Sequence, residues 1–195
     1  MKHFTLILLI PILLSGCSAL MTGGAELTGL SLLHDRRSSN ALMHDERIEI
    51  NAGIELNSYD DTRNECHFNV TAYNGTVLVT GEAPTEQLRN KIISIVRTIP
   101  GVKIVHNELR TAPPSNFSAR SHDSLITTKV KTSLSNIKNL PGFDATRVKV
   151  ITENGVVYLL GLVHKQEGHV ATEIARRETG VKKVVKIFEF IEYQS

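Results

Sequence analysis

The stretch NGTVLVTG at residues 74–81 recurs as NGVVYLLG at residues 154–161, and this repeat decides the fold. Each copy follows a segment that alternates apolar and polar residues, HFNVTAY at 67–73 and TRVKVITE at 146–153. An Asn-Gly pair between two β-rich runs favours a tight hairpin, because the turns that suit twisted antiparallel strands need positive φ at both central residues. The sequence therefore predicts two β-hairpins at equivalent places in a duplicated chain.

A helix and a further strand follow each hairpin. The first helical stretch begins at Pro84 and ends at Gly101, and its counterpart in residues 165–180 ends at Gly180. Both stretches are amphipathic, and a glycine suits the left-handed cap of a helix. The strand-like segments VKIVHNELR and VKKVVKIFEFI come next. The two copies therefore share the order of their elements.

A second amphipathic helix precedes each hairpin, and each has one narrow apolar stripe. The stripes consist of Ile48, Ala52, Leu56 and Tyr59 in the first copy and of Ile126, Val130, Leu134 and Ile137 in the second. Each set falls within about 80° at 100° per residue. Ser121 or Asp123 is the predicted cap of the second of these helices. The predicted fold class is α+β, with two tandem αββαβ units, each a small three-stranded mixed sheet packed on two helices.

The first seventeen residues, MKHFTLILLIPILLSGC, are typical of an export signal. Lys2 precedes an apolar run from Phe4 to Leu14, which is shorter than the roughly 20 residues of a membrane-spanning helix. The sequence LSGC at 14–17 resembles a bacterial lipobox. That resemblance implies cleavage before Cys17, a diacylglyceryl group on its sulfur and an N-acyl chain such as palmitate. Ser18, in place of an aspartate, implies transfer to the outer membrane; the alternative is an ordinary signal with a chance cysteine.

Composition and the repeat together set the expected domain boundaries. We expect a signal peptide at residues 1–16, an acylated tether at 17–43, a first domain at 44–111, a linker at 112–120 and a second domain at 121–193. The linker is rich in proline and serine, as connecting segments are.

This order of elements resembles the BON domain family, and the whole chain resembles its dual-BON outer-membrane lipoproteins of Gram-negative bacteria. The resemblance is carried by DRRS at 35–38, FNVTAY at 68–73, ITTKVK at 126–131 and TENG…GLV over 152–163. It implies a periplasm-facing, outer-membrane lipoprotein that supports membrane integrity, including at the division site. It also implies that the second unit binds anionic phospholipid through its first helix.

The charge distribution agrees with an anionic membrane as the partner. Residues 120–195 carry 12 Lys/Arg and 8 Asp/Glu, whereas residues 18–119 carry 9 and 12. Basic groups near an anionic leaflet are attracted to it. On the first helix of the second unit, one leucine points away from the core beside polar and basic residues. The predicted phospholipid-binding residues are Leu125, Thr128, Lys129, Lys131 and Thr132.

Two features qualify this prediction. The resemblance implies a tryptophan where this chain has Leu125, and the chain contains no tryptophan. Leucine lacks the interfacial preference of an indole, so we expect weaker and more charge-dependent lipid binding. Lys129 and Lys131 are equally compatible with solvated helix charges.

The first helix of the first unit is apolar on two sides. Ile50 and Ile54 lie opposite its core stripe and need a cover. The second unit, the tether and a partner protein are the three alternatives. We expect the two units to pack together and to move as one.

Residue patterns give little support for catalysis. The chain has no GxSxG, phosphate-loop or HExxH motif, and the spacing of His164 and His169 is not a zinc pattern. Cys66 is predicted to pack in the core, with His67 on the opposite face of its strand. We expect no enzymatic activity, no metal, no cofactor beyond the covalent lipid, no small-molecule substrate and no nucleic acid partner. A phospholipid-binding module and an adaptor for an outer-membrane protein remain as alternatives.

Overall fold

Two copies of one αββαβ arrangement follow each other in the computed structural model, which describes residues 35–192. The first copy comprises α1 (Ser39–Ser58), α2 (Asp60–Glu65), β1 (His67–Tyr73), β2 (Thr76–Ala83), α3 (Glu86–Thr98) and β3 (Ile104–Thr111). The second comprises α4 (Phe117–Ser135), a 3₁₀ turn (Ala145–Arg147), β4 (Lys149–Glu153), β5 (Val156–Val163), α5 (Lys165–Arg177) and β6 (Lys183–Phe190). The predicted signal peptide, the acylation site Cys17 and most of the tether lie outside the described residues.

Each domain contains one three-stranded mixed sheet, as predicted. The strand order is β1-β2-β3 in the first domain and β4-β5-β6 in the second. The first two strands of each sheet are antiparallel, and the third is parallel to the central strand. A parallel neighbour needs a crossover connection, which α3 and α5 provide. The predicted α+β class is confirmed.

Both hairpins turn at the Asn-Gly pairs. Asn74 and Gly75 have φ values of 52° and 80°, and Asn154 and Gly155 have φ values of 53° and 77°. Positive φ at both central residues is the geometry of a type I′ turn. Asparagine and glycine adopt it at low cost, so the local sequence alone fixes where each hairpin reverses.

A buried carboxylate holds each turn against the preceding helix. Asp45 on α1 accepts hydrogen bonds from the two turn amides of the first hairpin at 2.6 and 2.8 Å. Asp123 on α4 accepts from the two turn amides of the second hairpin, both at 2.8 Å. The prediction of Asp123 or Ser121 as a helix cap is therefore wrong. The cap is Asn116, whose side chain accepts from the Ala119 amide at 2.9 Å.

The central strands are buried on both faces. Every residue of β2 is buried, and alternate residues of β2 and β5 face opposite ways. One face of each sheet packs on the helices of its own domain. The other faces meet in a third cluster, which consists of Tyr73, Leu78, Tyr158, Leu160 and Ile187. The layer order is therefore helices, sheet, sheet, helices, and the prediction that the two units pack together is confirmed.

The DRRS segment ties both domains at one end. The Arg36 guanidinium donates to Glu167 of α5 at 2.9 Å and to the carbonyl of Leu162 at 3.2 Å. The Arg37 guanidinium donates to Asp45 at 2.8 Å and lies 3.8 Å from the centre of the Tyr73 ring. Burial raises the pKa of Glu167, but the hydrogen bonds from Arg36 and from the His164 amide outweigh it and lower that pKa overall. Arg37 therefore binds the first domain and Arg36 binds the second, so the segment joins the two when they are packed together.

Two helices begin ahead of the residues at which the sequence predicts their domains to start. α1 begins at Ser39, inside the predicted tether, because the Ser38 side chain caps it by accepting from the Ala41 amide. α4 begins at Phe117, inside the predicted linker, because Asn116 caps it. Tyr59 is 38% exposed and outside the core stripe, since α1 ends one residue earlier.

Replacing Asp45 by alanine removes the carboxylate that bonds two turn amides. We expect the free energy of unfolding to fall by about 3 kcal/mol, because charged hydrogen bonds are lost and buried amides are left without acceptors. Urea denaturation measures this. Asp60→Ala is the matched control, since its side chain is 84% exposed and its pair with Arg63 lies at the surface. We expect that change to cost under about 1 kcal/mol, and equal losses in the two variants would contradict the role of Asp45.

The shared sheet-to-sheet cluster predicts that the domains tumble as one body. ¹⁵N relaxation should give the same rotational correlation time for β2 and β5. That time should equal the one expected for a single rigid particle made of residues 35–192. A shorter, separate time for each domain would show that the cluster does not hold in solution.

Candidate membrane-contact surface

Helix α4 presents one face to its own domain and one to solvent. Ile126, Val130 and Leu134 are at most 1% exposed and pack against the second sheet. This confirms the predicted core stripe at these three positions. The remaining faces of α4 supply a surface whose polarity the core does not determine.

Two apolar side chains project from the outer part of α4. Leu125 is 60% exposed, as its predicted position requires, and Phe117 is 80% exposed. They are about 12 Å apart along the helix axis at 1.5 Å per residue, and about 80° apart around it. Sequence reasoning missed Phe117 because it was assigned to the linker. The signal for it was Asn116, a favoured N-cap residue directly before it.

The polar side chains beside Leu125 satisfy their hydrogen bonds within the helix. The hydroxyl of Thr128 donates to the carbonyl of Ser124 at 3.0 Å, and that of Thr132 donates to the carbonyl of Thr128 at 2.9 Å. The Ser124 hydroxyl donates to the carbonyl of Arg120 at 3.1 Å. A hydroxyl that already has a backbone acceptor loses less on leaving water. This face is therefore compatible with the boundary of a bilayer.

The basic residues flank the apolar tip. Lys129 and Lys131 are exposed. At 100° per residue, Lys129 lies about 40° from Leu125 on one side of the helix and Lys131 about 120° from it on the other. Neither lysine forms an ion pair with another residue in the range 35–192. α4 carries three basic residues and one acidic residue, and the acidic one, Asp123, is buried at the turn. Its solvent-facing charge is therefore wholly positive.

The equivalent helix α1 has the opposite character. Met43, Ile50 and Ile54 form an exposed stripe, at 52%, 52% and 66% exposure. The helix carries four acidic residues against one basic residue. The second domain therefore does not cover Ile50 and Ile54, since both domains bury their sheets and leave α1 on an outer layer. Cover by the tether lies outside the described residues, and a protein partner stays a prediction.

Cys66 is the one cysteine among residues 35–192, and its thiol is less acidic than usual. Cys66 is partly buried and packs against the first core. Burial raises the pKa of its thiol, which lowers the thiolate fraction that a nucleophile needs. His67 faces away from it, towards Glu82 at 3.2 Å, as the strand alternation predicted.

Across residues 35–192, no helix is both long and apolar enough to cross a membrane.

Comparisons with known proteins agree with this architecture. The BON domain model matches residues 45–113 and 122–191. The outer membrane lipoprotein DolP of Haemophilus influenzae is 32% identical over 195 residues, which cover 98% of this chain and 97% of that protein. The 21 kDa hemolysin of Actinobacillus pleuropneumoniae is 36% identical over 161 residues, which cover 81% of this chain and 80% of that protein.

A solved structure is also similar, at a much lower level. The C-terminal domain of CdsD, a structural protein of the type III secretion system of Chlamydia trachomatis, is 12% identical, with a TM-score of 0.30 and coverage of 76% of this chain and 67% of that one. This likeness carries no argument here. The two BON matches, together with a relative that is similar over nearly the full length, show that the chain belongs to the family of dual-BON outer-membrane lipoproteins.

Proposed function

We propose that this protein is a lipid-anchored, non-catalytic module that holds its second BON domain against anionic phospholipid at the periplasmic face of the outer membrane. In this proposal it supports membrane integrity, including at the division site. The observation that carries the proposal is the outer face of α4. Exposed Leu125 and Phe117 lie there among lysines and internally bonded hydroxyls.

The proposed anchor is the acylated Cys17. Each buried methylene contributes about 0.8 kcal/mol, so two or more chains hold a protein to a bilayer almost permanently. The residues between Cys17 and Asp35 span at most about 60 Å when fully extended. The folded domains are therefore confined close to the membrane surface, which raises the effective concentration of lipid around α4.

Because the anchor already holds the protein at the membrane, the contact between α4 and the lipid needs to contribute only a small free energy of binding. Each basic group near an anionic leaflet contributes about 1 kcal/mol, so the three on α4 contribute on the order of 3 kcal/mol. That corresponds to roughly a hundredfold preference, which is weak for a free protein. For an anchored protein it is enough to orient the domain, because the second binding event is intramolecular.

A form that lacks residues 1–17 isolates the contribution of α4 to lipid binding. We expect it to co-sediment with vesicles that contain anionic phosphatidylglycerol and not with neutral phosphatidylcholine vesicles. The double variant Leu125→Glu, Lys129→Glu should lose at least tenfold in binding, since it removes an apolar contact and reverses a charge. Ile54→Glu is the matched control, because Ile54 is equally exposed on the equivalent helix of the first domain.

Two results would contradict this proposal. One is equal binding to neutral and anionic vesicles, which would show that the lysines do not contribute. The other is an equal loss in the Ile54→Glu control, which would show that α4 is not the contact.

A second candidate function is an adaptor that binds an outer-membrane protein through α1. The exposed stripe of Met43, Ile50 and Ile54 supports it, because an acidic helix is a poor surface for an anionic membrane. Complementation of a deletion strain separates the two functions. The adaptor requires that Ile50→Glu, Ile54→Glu loses resistance to detergent while Leu125→Glu, Lys129→Glu keeps it, and lipid binding requires the reverse.

A further inference from the structure

Three ligating side chains from the two domains meet between the sheets. The His67 Nδ1 lies 3.2 Å from Glu82 Oε2 and 3.9 Å from Glu153 Oε1. One ligand atom from each of the three residues lies within 4.8 Å of the other two. Glu82 and Glu153 are 2% and 4% exposed. His67 and Glu82 belong to the first domain and Glu153 to the second, so the cluster crosses the domain interface.

The buried carboxylates of this cluster lack the arginine partners that two other buried carboxylates have. The buried carboxylates among the described residues are Asp45, Glu82, Asp123, Glu153 and Glu167. Arginine pairs with two of them: Arg37 with Asp45 at 2.8 Å and Arg36 with Glu167 at 2.9 Å. The other three form no ion pair with a lysine or arginine of residues 35–192. Among the described residues, His67 is the only basic side chain within 4.0 Å of Glu82 or Glu153. Arg120 lines the cavity beside Glu153 but forms no ion pair with it.

An excess of buried negative charge is costly unless a cation is present. Hydrogen bonds reduce this cost, as those from Asn154 and Ser115 do at Glu82, and a proton or a metal ion compensates the remaining negative charge. Here the nitrogen and the oxygens face one another, which is the arrangement of a ligand set.

We propose that His67, Glu82 and Glu153 bind a divalent transition-metal cation, with Zn²⁺ as the best fit, and that this ion joins the two BON domains. Imidazole nitrogen with carboxylate oxygen is a donor set that zinc accepts. Calcium and magnesium prefer oxygen ligands alone. The function of such an ion is to hold the sheet-to-sheet interface together, independently of lipid binding.

The distances are close to those of a bound ion. A tetrahedral ion with bonds of about 2.1 Å places its ligands about 3.4 Å apart. The pair of His67 and Glu82 is already at 3.2 Å, and the Glu153 oxygen needs to approach His67 by about 0.5 Å from 3.9 Å. This difference is small compared with the reach of a glutamate side chain.

The surroundings orient the ligands and leave an entry path. The Ser115 amide donates to Glu82 at 3.0 Å, and the Asn69 side chain donates to Glu153 at 3.1 Å, as outer partners of metal ligands do. A cavity of about 240 Å³ opens to solvent, and its lining includes the carboxylate of Asp123 and the basic residue Arg120 as well as His67, Asn69 and Glu153. It has room for a water molecule as the fourth ligand and provides access for the ion.

Calorimetric titration of the full chain with Zn²⁺, after treatment with a chelator, tests the proposal. We expect one ion per chain and a rise in the thermal midpoint of unfolding. At a free Zn²⁺ concentration one hundred times the Kd, the unfolding equilibrium should shift about a hundredfold. Glu153→Gln should weaken binding at least tenfold, and His67→Gln should do the same. His169→Gln is the matched control, because His169 is exposed on α5 and remote from the cluster.

X-ray absorption of the zinc-loaded, unsubstituted chain gives a readout that needs no variant. A first shell of nitrogen and oxygen with no sulfur supports the site, whereas a sulfur ligand would place the ion at a cysteine and overturn it. The absence of stoichiometric binding would also overturn the proposal. Binding that survives both Glu153→Gln and His67→Gln would overturn it in the same way.

Discussion

The burial of both faces of the two central strands is the constraint on which the rest of the structure depends. β2 and β5 are each covered by helices on one side and by the other sheet on the opposite side. Leu78, Tyr158 and Leu160 form the centre of that contact. Because each domain uses its second sheet face against the other, neither domain retains its burial when they separate. The two domains therefore form one packed unit, and their helices lie on its outer layers.

That constraint leaves the outer helices free to differ. α1 and α4 occupy equivalent places, hold equivalent Asn-Gly turns through Asp45 and Asp123, and bury equivalent stripes. Their solvent faces have opposite charge, and both carry exposed apolar residues. The duplicated scaffold therefore presents one basic surface and one acidic surface on its two outer layers. A basic layer suits a membrane, and an acidic layer suits a protein.

Local signals explain what the sequence could predict. The Asn-Gly pairs set the hairpins because their turn geometry depends on those residues alone. The stripe around Ile126 predicted a helix and its buried face because helical periodicity needs no knowledge of distant residues. Leu125 was correctly placed on the outside for the same reason.

The features that sequence reasoning missed depend on contacts between distant segments or on where an element begins. Phe117 was missed because the helix starts at a cap, not at the first periodic apolar residue. Asp123 was read as a cap because its true partner, the turn at Asn154, is far along the chain. The cluster of His67 with Glu82 and Glu153 forms only when the sheets pack, so no local spacing signals it.

The proposed function depends on contact between anionic lipid and the outer face of α4, and not that of α1. Chemical-shift mapping of an isotope-labelled form lacking residues 1–17, titrated with anionic lipid nanodiscs, tests it most directly. We expect the amides of residues 117–135 to shift or broaden, with the largest changes near Phe117 and Leu125, while those of residues 39–58 stay unchanged. Perturbation centred on residues 39–58, or spread evenly over both domains, would contradict it.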